Sequence, residues 1–507
     1  MSVLPWLPWL VVSLLSIYLL DLLAHARRRL PPGPIPLPLI GSLHLMGDQP
    51  HRSLARLARI HGPLMSIRLG AVTTVVASSP DAAREILQKH DAVLAGRFVN
   101  DAVGDHARDS VAWLPHGPRW RSLRKTMATE LFAPHRLDAL QGLRSDKMRE
   151  LVAHIARLAR DGVEVDVGRV AFTTSLNLLS GTIFSKDLAS LDDHGGSKEF
   201  QALVSEAMKC GGSPNVSDFF PVLARADLQG LRRRLAQLLA RLHQVFDVEV
   251  DRRLRGREVG ETRKEHDDFL DVLLDVAERD GGKAGLDRDT LRALFTDLFL
   301  AGSDSTSSMV EWAMTELLKN PSSMAKAHEE LAQVISSTRS VEESDINQLP
   351  YLQAVVNETL RLGPLLLPHQ AQEAVNIAGF TVPQGARVLV NLWAMGQDES
   401  IWPEPDKFMP ERFLGRAVDF RGGDFELIPF GAGRRVCPGM PLAIRTVHLV
   451  LSTLLNRFEW KIPVEVERTG IDMSEKFGVS LTKAVPLGAM ATMKMALANV
   501  RATSSVR

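Results

Sequence analysis

One of the two cysteines in the chain, Cys437, lies in the glycine-rich stretch 430–439, which reads FGAGRRVCPG. An apolar run with helical spacing follows from Leu442 to Leu455, so Cys437 is predicted to lie just before a helix N-terminus. The free N–H groups and the dipole of such a terminus favour a thiolate, which can bind a soft or redox-active metal centre. The alternative is a small buried apolar residue. A dinucleotide loop is excluded, because Val436 stands where G-x-G-x-x-G requires its third glycine.

Small and polar residues interrupt a second apolar stretch at positions 301–306, which read AGSDST. Helix propensity disfavours this run, and residues that break the pattern of an otherwise consistent element indicate a functional site. Small side chains let a ligand approach the backbone, and Asp304 beside the hydroxyls of Ser305 and Thr306 can relay protons. The alternative is a helix end capped by Asp304, which the renewed helical pattern over 310–317 disfavours.

Two further pairs of residues have helical spacing. Trp120 and Arg124 lie one turn apart, and so do Glu358 and Arg361. Taken alone, the first pair is usually a packed tryptophan with a solvated arginine. The second is usually a surface salt bridge that contributes little to stability.

The stretch around Cys437 matches the signature F-x-x-G-x-R-x-C-x-G at every fixed position, and it therefore resembles the cytochrome P450 family. The resemblance implies that the Cys437 thiolate is the axial ligand of a haem iron, with Phe430 and Arg435 beside the same cofactor. Residues 301–306 resemble the family's oxygen-activation motif, A/G-G-x-D/E-T-T/S, with Ser305 where threonine is usual.

The same resemblance implies roles for the remaining candidates. The residues expected to bind the haem propionates are Arg97, Trp120, Arg124, His369 and Arg435. Those expected to take part in oxygen activation are Asp304, Ser305 and Thr306. An arginine suits a propionate because its planar fork pairs with a carboxylate. Glu358 and Arg361 match the family's E-x-x-R, and segment 408–413 is expected to add a second arginine to that structural network.

Composition excludes several classes of protein. The 507 residues carry 60 basic and 60 acidic side chains, so the formal net charge of +0 gives no indication of a nucleic-acid partner. Two cysteines exclude a disulfide framework. The resemblance implies that electrons come from NADPH through a separate reductase. The sequence agrees with this, because it contains neither a nicotinamide nor a flavin fingerprint.

The N-terminal residues predict a membrane anchor. Leu4 to Leu23 is almost wholly apolar and is followed by three arginines at 27–29. Such a stretch can span a bilayer, and the arginines are expected to keep the main domain in the cytosol. The domains expected are a signal anchor over 1–30, a proline-rich hinge over 31–38, a catalytic domain over 39–502 and a tail over 503–507.

The expected fold class is mostly α with a smaller β region (α+β), as in the cytochrome P450 fold. Residues 64–78 are predicted to form a hairpin, and 3.6-residue periodicity predicts helices over most of 120–360. Strands are predicted over 380–383 and 387–391, on both sides of a turn at Gly385, and another hairpin over 476–487.

Residues 362–370 depart from the family pattern. The segment LGPLLLPHQ is about three residues shorter than in relatives, and Gln370 replaces an expected arginine. We expect Leu365, Leu366 and Leu367 to line a pocket wall that differs from that of relatives.

The expected function is that of an endoplasmic reticulum monooxygenase that inserts oxygen into a small apolar plant metabolite. Residues 297–312 and the motif K-F-G-x-x-L-x-K-A-x-P-L at 476–487 resemble the geraniol and terpenoid hydroxylase group, which includes grass diterpene hydroxylases. The favoured substrate is a terpenoid, either a labdane-related diterpene or a monoterpenol. The alternatives are a flavonoid ring hydroxylase, a haem-thiolate isomerase and a catalytically impaired haem protein.

Overall fold

The computed structural model describes residues 29–192, 197–259, 268–279, 286–335, 339–363 and 366–494, together with residues 9, 12, 13 and 16. This part of the chain is mostly helical, as predicted. The helices are α1 Pro50–His61, α2 Pro80–Arg84, α3 Asp91–Leu94, α4 Pro118–Thr126, α5 Pro134–Ala139, α6 Gln141–Arg160, α7 Val167–Phe184, α8 Ser197–Gly212, α9 Leu231–Glu258, α10 Phe269–Arg279, α11 Arg288–Lys319, α12 Pro321–Val334, α13 Pro350–Arg361, α14 Leu392–Gly396, α15 Met440–Arg457 and α16 Val464–Thr469.

The strands form small sheets at the edges of the helical body. They are β1 Leu64–Leu69, β2 Val72–Ala77, β3 Gly96–Arg97, β4 Val165–Asp166, β5 His369–Gln370, β6 Val375–Ile377, β7 Phe380–Val382, β8 Arg387–Val390, β9 Phe458–Lys461, β10 Glu475–Lys476, β11 Thr482–Lys483 and β12 Gly488–Met493. The largest sheet has the order β1-β2-β8-β5-β3, in which β2 and β8 are parallel. The others are β4-β12-β9, β6-β7 and β10-β11.

Both predicted hairpins form. Strands β1 and β2 pair through Leu69 and Val72, on both sides of a turn in which Gly70 has a φ of +62°. A left-handed backbone of this kind favours glycine. The pairing of β10 with β11 confirms the second hairpin in a shorter form. Strands β7 and β8 also form, but they join different sheets: β7 pairs with β6, whereas β8 lies between β2 and β5.

Helix α11 runs through the middle of the helical body. Its 32 residues begin after Asp287, whose carboxylate accepts a hydrogen bond from the Thr290 amide at 2.8 Å and caps the helix. Apolar side chains along α11 belong to two large core clusters, one that includes Phe295 and Phe299 and one that includes Val310 and Met314. Because both halves of the helix are packed in this way, the polar run 301–306 is held at a defined position between them.

The predicted E-x-x-R network is confirmed as an internal, structural one. On α13 the Arg361 guanidinium donates to both Glu358 oxygens, through Nε at 2.8 Å and Nη2 at 3.0 Å. Arg412 adds a third contact to Glu358 through its Nε at 3.3 Å. The side chains of Glu358 and Arg361 are 0% and 1% exposed. Removal of one partner from such a pair costs about 3–5 kcal/mol, because the other charge is left buried and unpaired.

Within the described residues, no helix is both long enough and apolar enough to cross a membrane. The predicted span, Leu4–Leu23, lies outside those residues except for positions 9, 12, 13 and 16, and so does the predicted tail. Residues of the proline-rich segment are bonded to β1: the Ser66 amide donates to Pro32 O at 2.8 Å, and its hydroxyl donates to Pro31 O at 2.6 Å.

Candidate active site

Cys437 lies in a tight loop that ends at the N-terminus of α15, as predicted. Its amide donates a hydrogen bond to Phe430 O at 2.9 Å, which closes the loop, and α15 begins three residues later. Gly431 and Gly433 have φ values of +72° and +65°. A Cβ atom at Gly433 would collide with the carbonyl oxygen of Leu87, so this position requires glycine both for its conformation and for close packing.

The Cys437 thiol is free and lies among opposing influences. Burial raises its pKa, and this effect outweighs the backbone N–H groups of Gly439 and Met440 and the charge of Arg124, which lower it. The N–H groups at the start of α15 favour the thiolate, as predicted, but burial outweighs them in the absence of a metal. A metal ion reverses the balance, because a coordinated thiol loses its proton.

Cys437 opens onto a cavity of about 430 Å³, here called the central cavity. Nine of the ten predicted site residues line it, and they are Arg97, Trp120, Arg124, Ser305, Thr306, His369, Phe430, Arg435 and Cys437. They come from β3, α4, α11, β5 and the loop before α15, so the fold brings together residues far apart in sequence. In the shortened segment, Leu366 and Leu367 line the cavity as expected, whereas Pro364 and Leu365 lie outside the described residues.

Four of these residues form a cluster of bases at one end of the cavity, here called the basic cluster: Arg97, Arg124, His369 and Arg435. The pairing of β3 with β5 places Arg97 opposite His369. Arg435 lies against the ring of Trp120, with its Cζ atom 4.5 Å from the ring centroid. The Trp120 indole N–H donates to Val111 O at 3.1 Å.

The described partners of the basic cluster are backbone carbonyls. Arg97 Nη1 donates to Leu367 O at 2.8 Å, and Arg124 Nη2 donates to Val436 O at 2.7 Å. Arg435 donates through Nε to Ala95 O at 2.8 Å, and His369 Nδ1 lies 2.8 Å from Leu94 O. No carboxylate of the described chain forms a salt bridge with these three arginines. Moreover, Arg97 Nε is buried without a hydrogen-bond partner.

The electrostatic cost of this arrangement appears in the pKa values. Burial, reinforced by Arg435 and Arg124, lowers the pKa of Arg97 to about 9. Burial and the neighbouring Arg124 lower the pKa of Arg435 to about 10. Burial and then Arg97 lower the pKa of His369 to about 3. Buried cations without an anion are unfavourable, so the basic cluster fits a bound ligand that carries carboxylates.

Helix α11 presents two functional faces. Ala301, Gly302, Ser305 and Thr306 line the central cavity, and the Ser305 hydroxyl donates to Ala301 O at 2.7 Å. Asp304, the tenth predicted site residue, lies on another face. It lines a separate cleft of about 520 Å³, here called the outer cleft, together with polar residues that include Arg169, Gln201 and Glu311.

The Asp304 carboxylate is held by a residue that sequence reasoning missed. Its Oδ2 accepts a hydrogen bond from the Ser480 hydroxyl, and Ser480 also lines the central cavity. Burial raises the pKa of Asp304, opposed by the Ser480 hydrogen bond and by Lys476. Ser480 occupies a variable position of the motif K-F-G-x-x-L, so the sequence alone carried no signal for it.

The residues present fit a haem group. The thiol of Cys437 can supply an axial ligand, the basic cluster lacks the anions that two propionates would provide, and small residues such as Ala301, Gly302 and Gly431 leave room for a flat macrocycle. Phe430 completes the wall beside the cysteine loop, with its ring 6.0 Å from that of Phe420 in an edge contact.

Comparison with known proteins gives the same result. The family described as Cytochrome P450 matches residues 31–486. Geraniol 8-hydroxylase from Catharanthus roseus is 49% identical over 474 residues, which cover 92% of this chain and 95% of that protein. Geraniol 8-hydroxylase from Swertia mussotii is 48% identical, with coverages of 93% and 95%. Cytochrome P450 76AD1 from Beta vulgaris is 46% identical, with coverages of 94% and 97%.

Proposed function

The chain belongs to the cytochrome P450 family and is a haem-dependent monooxygenase, and on that premise we propose that it hydroxylates a terpenoid, either a monoterpenol or a labdane-related diterpene. The observation that carries the proposal is the meeting of a free cysteine thiol and an anion-free basic cluster in one largely apolar cavity. The substrate class is supported by two relatives that are named geraniol 8-hydroxylase.

The residues that hold the cofactor follow from the site. Cys437 would hold the iron through its thiolate, the basic cluster and Trp120 would bind the propionates, and Phe430 would pack beside the ligand loop. When bound, the haem would supply the redox chemistry by which O₂, two electrons and two protons yield a hydroxylated substrate and water. The electrons come from NADPH through a separate reductase, which accords with the absence of a nicotinamide or flavin fingerprint in the sequence.

Proton delivery is the task of α11. Ser305 and Thr306 present hydroxyls to the central cavity, and Asp304 lies on the outer cleft at the neighbouring position. Burial raises the pKa of the Asp304 carboxyl, which makes it a better proton acceptor than an exposed aspartate. Asp304 therefore takes protons from the outer cleft and passes them toward Ser305, while Ser480 orients its carboxylate.

Membrane attachment is part of the proposal. Residues 1–30 anchor the chain in the endoplasmic reticulum membrane, residues 31–38 connect to the catalytic domain over 39–502, and residues 503–507 form a tail. Support comes from exposed apolar side chains of two segments, which are Ile35, Leu37, Leu39, Ile40, Val216, Val222, Leu223 and Leu228. The β1–β2 turn joins the two segments, because Gly70 N donates to Ile40 O and Ala71 N to Phe219 O. Exposed apolar side chains on two adjoining segments suit contact with lipid.

The test is turnover of a substrate panel. Microsomes that contain the full chain and a plant NADPH–P450 reductase are incubated with NADPH and with monoterpenols, labdane olefins and flavonoids. We expect NADPH-dependent hydroxylation of a terpenoid. If only flavonoids yield product, the substrate class is flavonoids rather than terpenoids. Product formed without NADPH would indicate an isomerase. Haem binding without any product would indicate an impaired enzyme.

A further inference from the structure

One acidic residue lies on the wall of the central cavity. Among the described residues that line it, Asp297 is the one that carries a carboxylate. Asp297, Ala301 and Ser305 follow one another at intervals of four residues along α11, so they share the face of the helix that borders the cavity. At 1.5 Å per residue, the backbone of Asp297 lies about 12 Å along the helix axis from that of Ser305.

The Asp297 carboxylate contacts a loop on the other side of the cavity wall. Ser110 Oγ lies 2.8 Å from each carboxylate oxygen, and His106 Nε2 lies 3.2 Å from Oδ1. The Ala112 amide lies 3.4 Å from Oδ2. These contacts hold residues 106–112 against α11. If Asp297 had only a structural role, these contacts would use all of its hydrogen-bonding capacity.

The partners do not saturate the carboxylate. An ionised carboxylate has about four acceptor sites. The Ser110 hydroxyl has a single proton for its two short contacts, and the Ala112 contact is longer than a usual N–H···O bond. Within the described chain, Asp297 forms a salt bridge with His106, and neither an arginine nor a lysine pairs with the carboxylate. The carboxylate therefore retains capacity to accept a hydrogen bond from a ligand in the cavity.

Apolar side chains line the cavity together with Asp297, among them Val111, Leu179, Met208 and Leu298. A ligand that fits this part of the central cavity has a hydrocarbon skeleton and one hydrogen-bond donor. A buried polar group binds such a donor with high discrimination, because a ligand that lacks the donor leaves the carboxylate without its partner.

We propose that Asp297 accepts a hydrogen bond from the alcohol of the substrate and selects terpene alcohols over hydrocarbons of the same skeleton. The inference rests on the proposed terpenoid hydroxylation and narrows its substrate class. Because Ser305 lies two helical turns from Asp297, the carbon that is oxidised is remote from the alcohol. Two relatives are named geraniol 8-hydroxylase, and geraniol is an extended molecule of this kind, with its alcohol at one end.

The test compares matched ligand pairs by optical titration of the haem-bound full chain, which requires no turnover. The probes are geraniol with 2,6-dimethyl-2,6-octadiene, and a labdane alcohol with the corresponding olefin. We expect the wild type to bind each alcohol about 10- to 100-fold more tightly than its hydrocarbon, the range for a hydrogen bond to a charged group. Asp297→Leu should abolish the preference, and Asp297→Asn should reduce it several-fold while retaining an acceptor for the loop.

Ser110→Ala is the matched control, because it removes a loop contact and leaves the carboxylate in place. It should retain the preference for alcohols. The proposal is overturned if the wild type shows no preference, or if Asp297→Asn leaves the ratio unchanged. It is also overturned if the Asp297 variants weaken alcohol and hydrocarbon equally. Failure of the proposed function has a different signature, since alcohol preference would then persist while the reductase assay yielded no oxidised terpene.

Discussion

Two groups of buried arginines in this molecule differ in how their charge is balanced. At the end of α13, Arg361 is 1% exposed in its side chain and is paired with Glu358 through two hydrogen bonds, at 2.8 and 3.0 Å. In the basic cluster, Arg97, Arg124 and Arg435 donate to backbone carbonyls, and no described carboxylate pairs with them. The first group is complete within the protein, whereas the second requires an anion from outside.

The comparison separates structural charge from charge that serves a ligand. A paired charge stabilises the fold only relative to loss of its partner. An unpaired cluster, by contrast, costs free energy of folding that ligand binding recovers. The two groups therefore predict opposite responses to substitution, and the first two of the following experiments test that contrast.

The largest effect is expected from Glu358→Ala. This variant leaves Arg361 and Arg412 buried without their shared carboxylate, which should lower the free energy of unfolding by about 3–5 kcal/mol. The measurement is denaturant unfolding followed by far-ultraviolet circular dichroism. Glu404→Ala is the control, because its pair with Lys407 is exposed and screened by solvent, so its loss should leave stability nearly unchanged. Equal stability of the two variants would contradict the assignment of a structural network.

Arg97→Met should produce the opposite pattern. Without haem, the variant should be as stable as the wild type or more stable, because it removes a buried cation whose Nε has no partner. With haem, it should lose the cofactor more readily, by about 10- to 100-fold in affinity for the loss of a charge-assisted contact. Haem transfer to apomyoglobin measures the change. Arg361→Met is the control and should destabilise both the haem-free and the haem-bound protein. If Arg97→Met also destabilises the haem-free protein, the two groups of arginines do not differ in the way proposed.

The pH dependence of stability should report on His369. Its folded pKa is lowered to about 3, so between pH 6.5 and 3 the unfolded chain takes up a proton that the folded chain does not. The haem-free protein should therefore lose stability as the pH falls through this window, by roughly 2 kcal/mol from this residue at pH 5. His369→Asn should flatten the profile between pH 6.5 and 5. A profile that matches the wild type would show that His369 is not buried as a neutral base.

The smallest effect is expected at Ser480. Ser480→Ala removes the hydrogen bond that holds Asp304, so the fraction of NADPH electrons lost as peroxide should rise by about two- to tenfold, the value of one neutral hydrogen bond. Ser480→Thr should restore coupling, because it keeps the hydroxyl. Unchanged coupling in Ser480→Ala would exclude a positioning role. Asp304→Asn should have a larger effect than Ser480→Ala, because it removes the carboxyl group proposed to deliver protons.

Sequence reasoning was most successful where the relevant information is local. Cys437 and its loop occupy ten consecutive residues, and the Glu358–Arg361 pair is set by helical spacing, so both could be placed before the fold was known. The hairpin at 64–78 was likewise predictable from β-branched residues around a glycine turn. In each case the chain itself determines which groups are neighbours.

Sequence reasoning could not reach what tertiary packing decides. The direction of Asp304 depends on how α11 is rotated between its packing partners, and the carboxylate faces the outer cleft rather than the central cavity. Ser480 and Asp297 reach the cavity wall through contacts with distant segments, and neither was assigned a role from sequence. The thiol of Cys437 illustrates a competition of effects, since burial raises its pKa more than the helix terminus lowers it.

The most direct test of the account is the carbon monoxide spectrum of the reduced protein. If Cys437 is the thiolate ligand of the haem, the wild type should show the red-shifted Soret band of a thiolate-bound haem. Cys210→Ala should retain this band, because Cys210 is buried against Leu231 away from the central cavity. Cys437→Ala should lose it. Retention of the red-shifted band in Cys437→Ala would contradict the central claim.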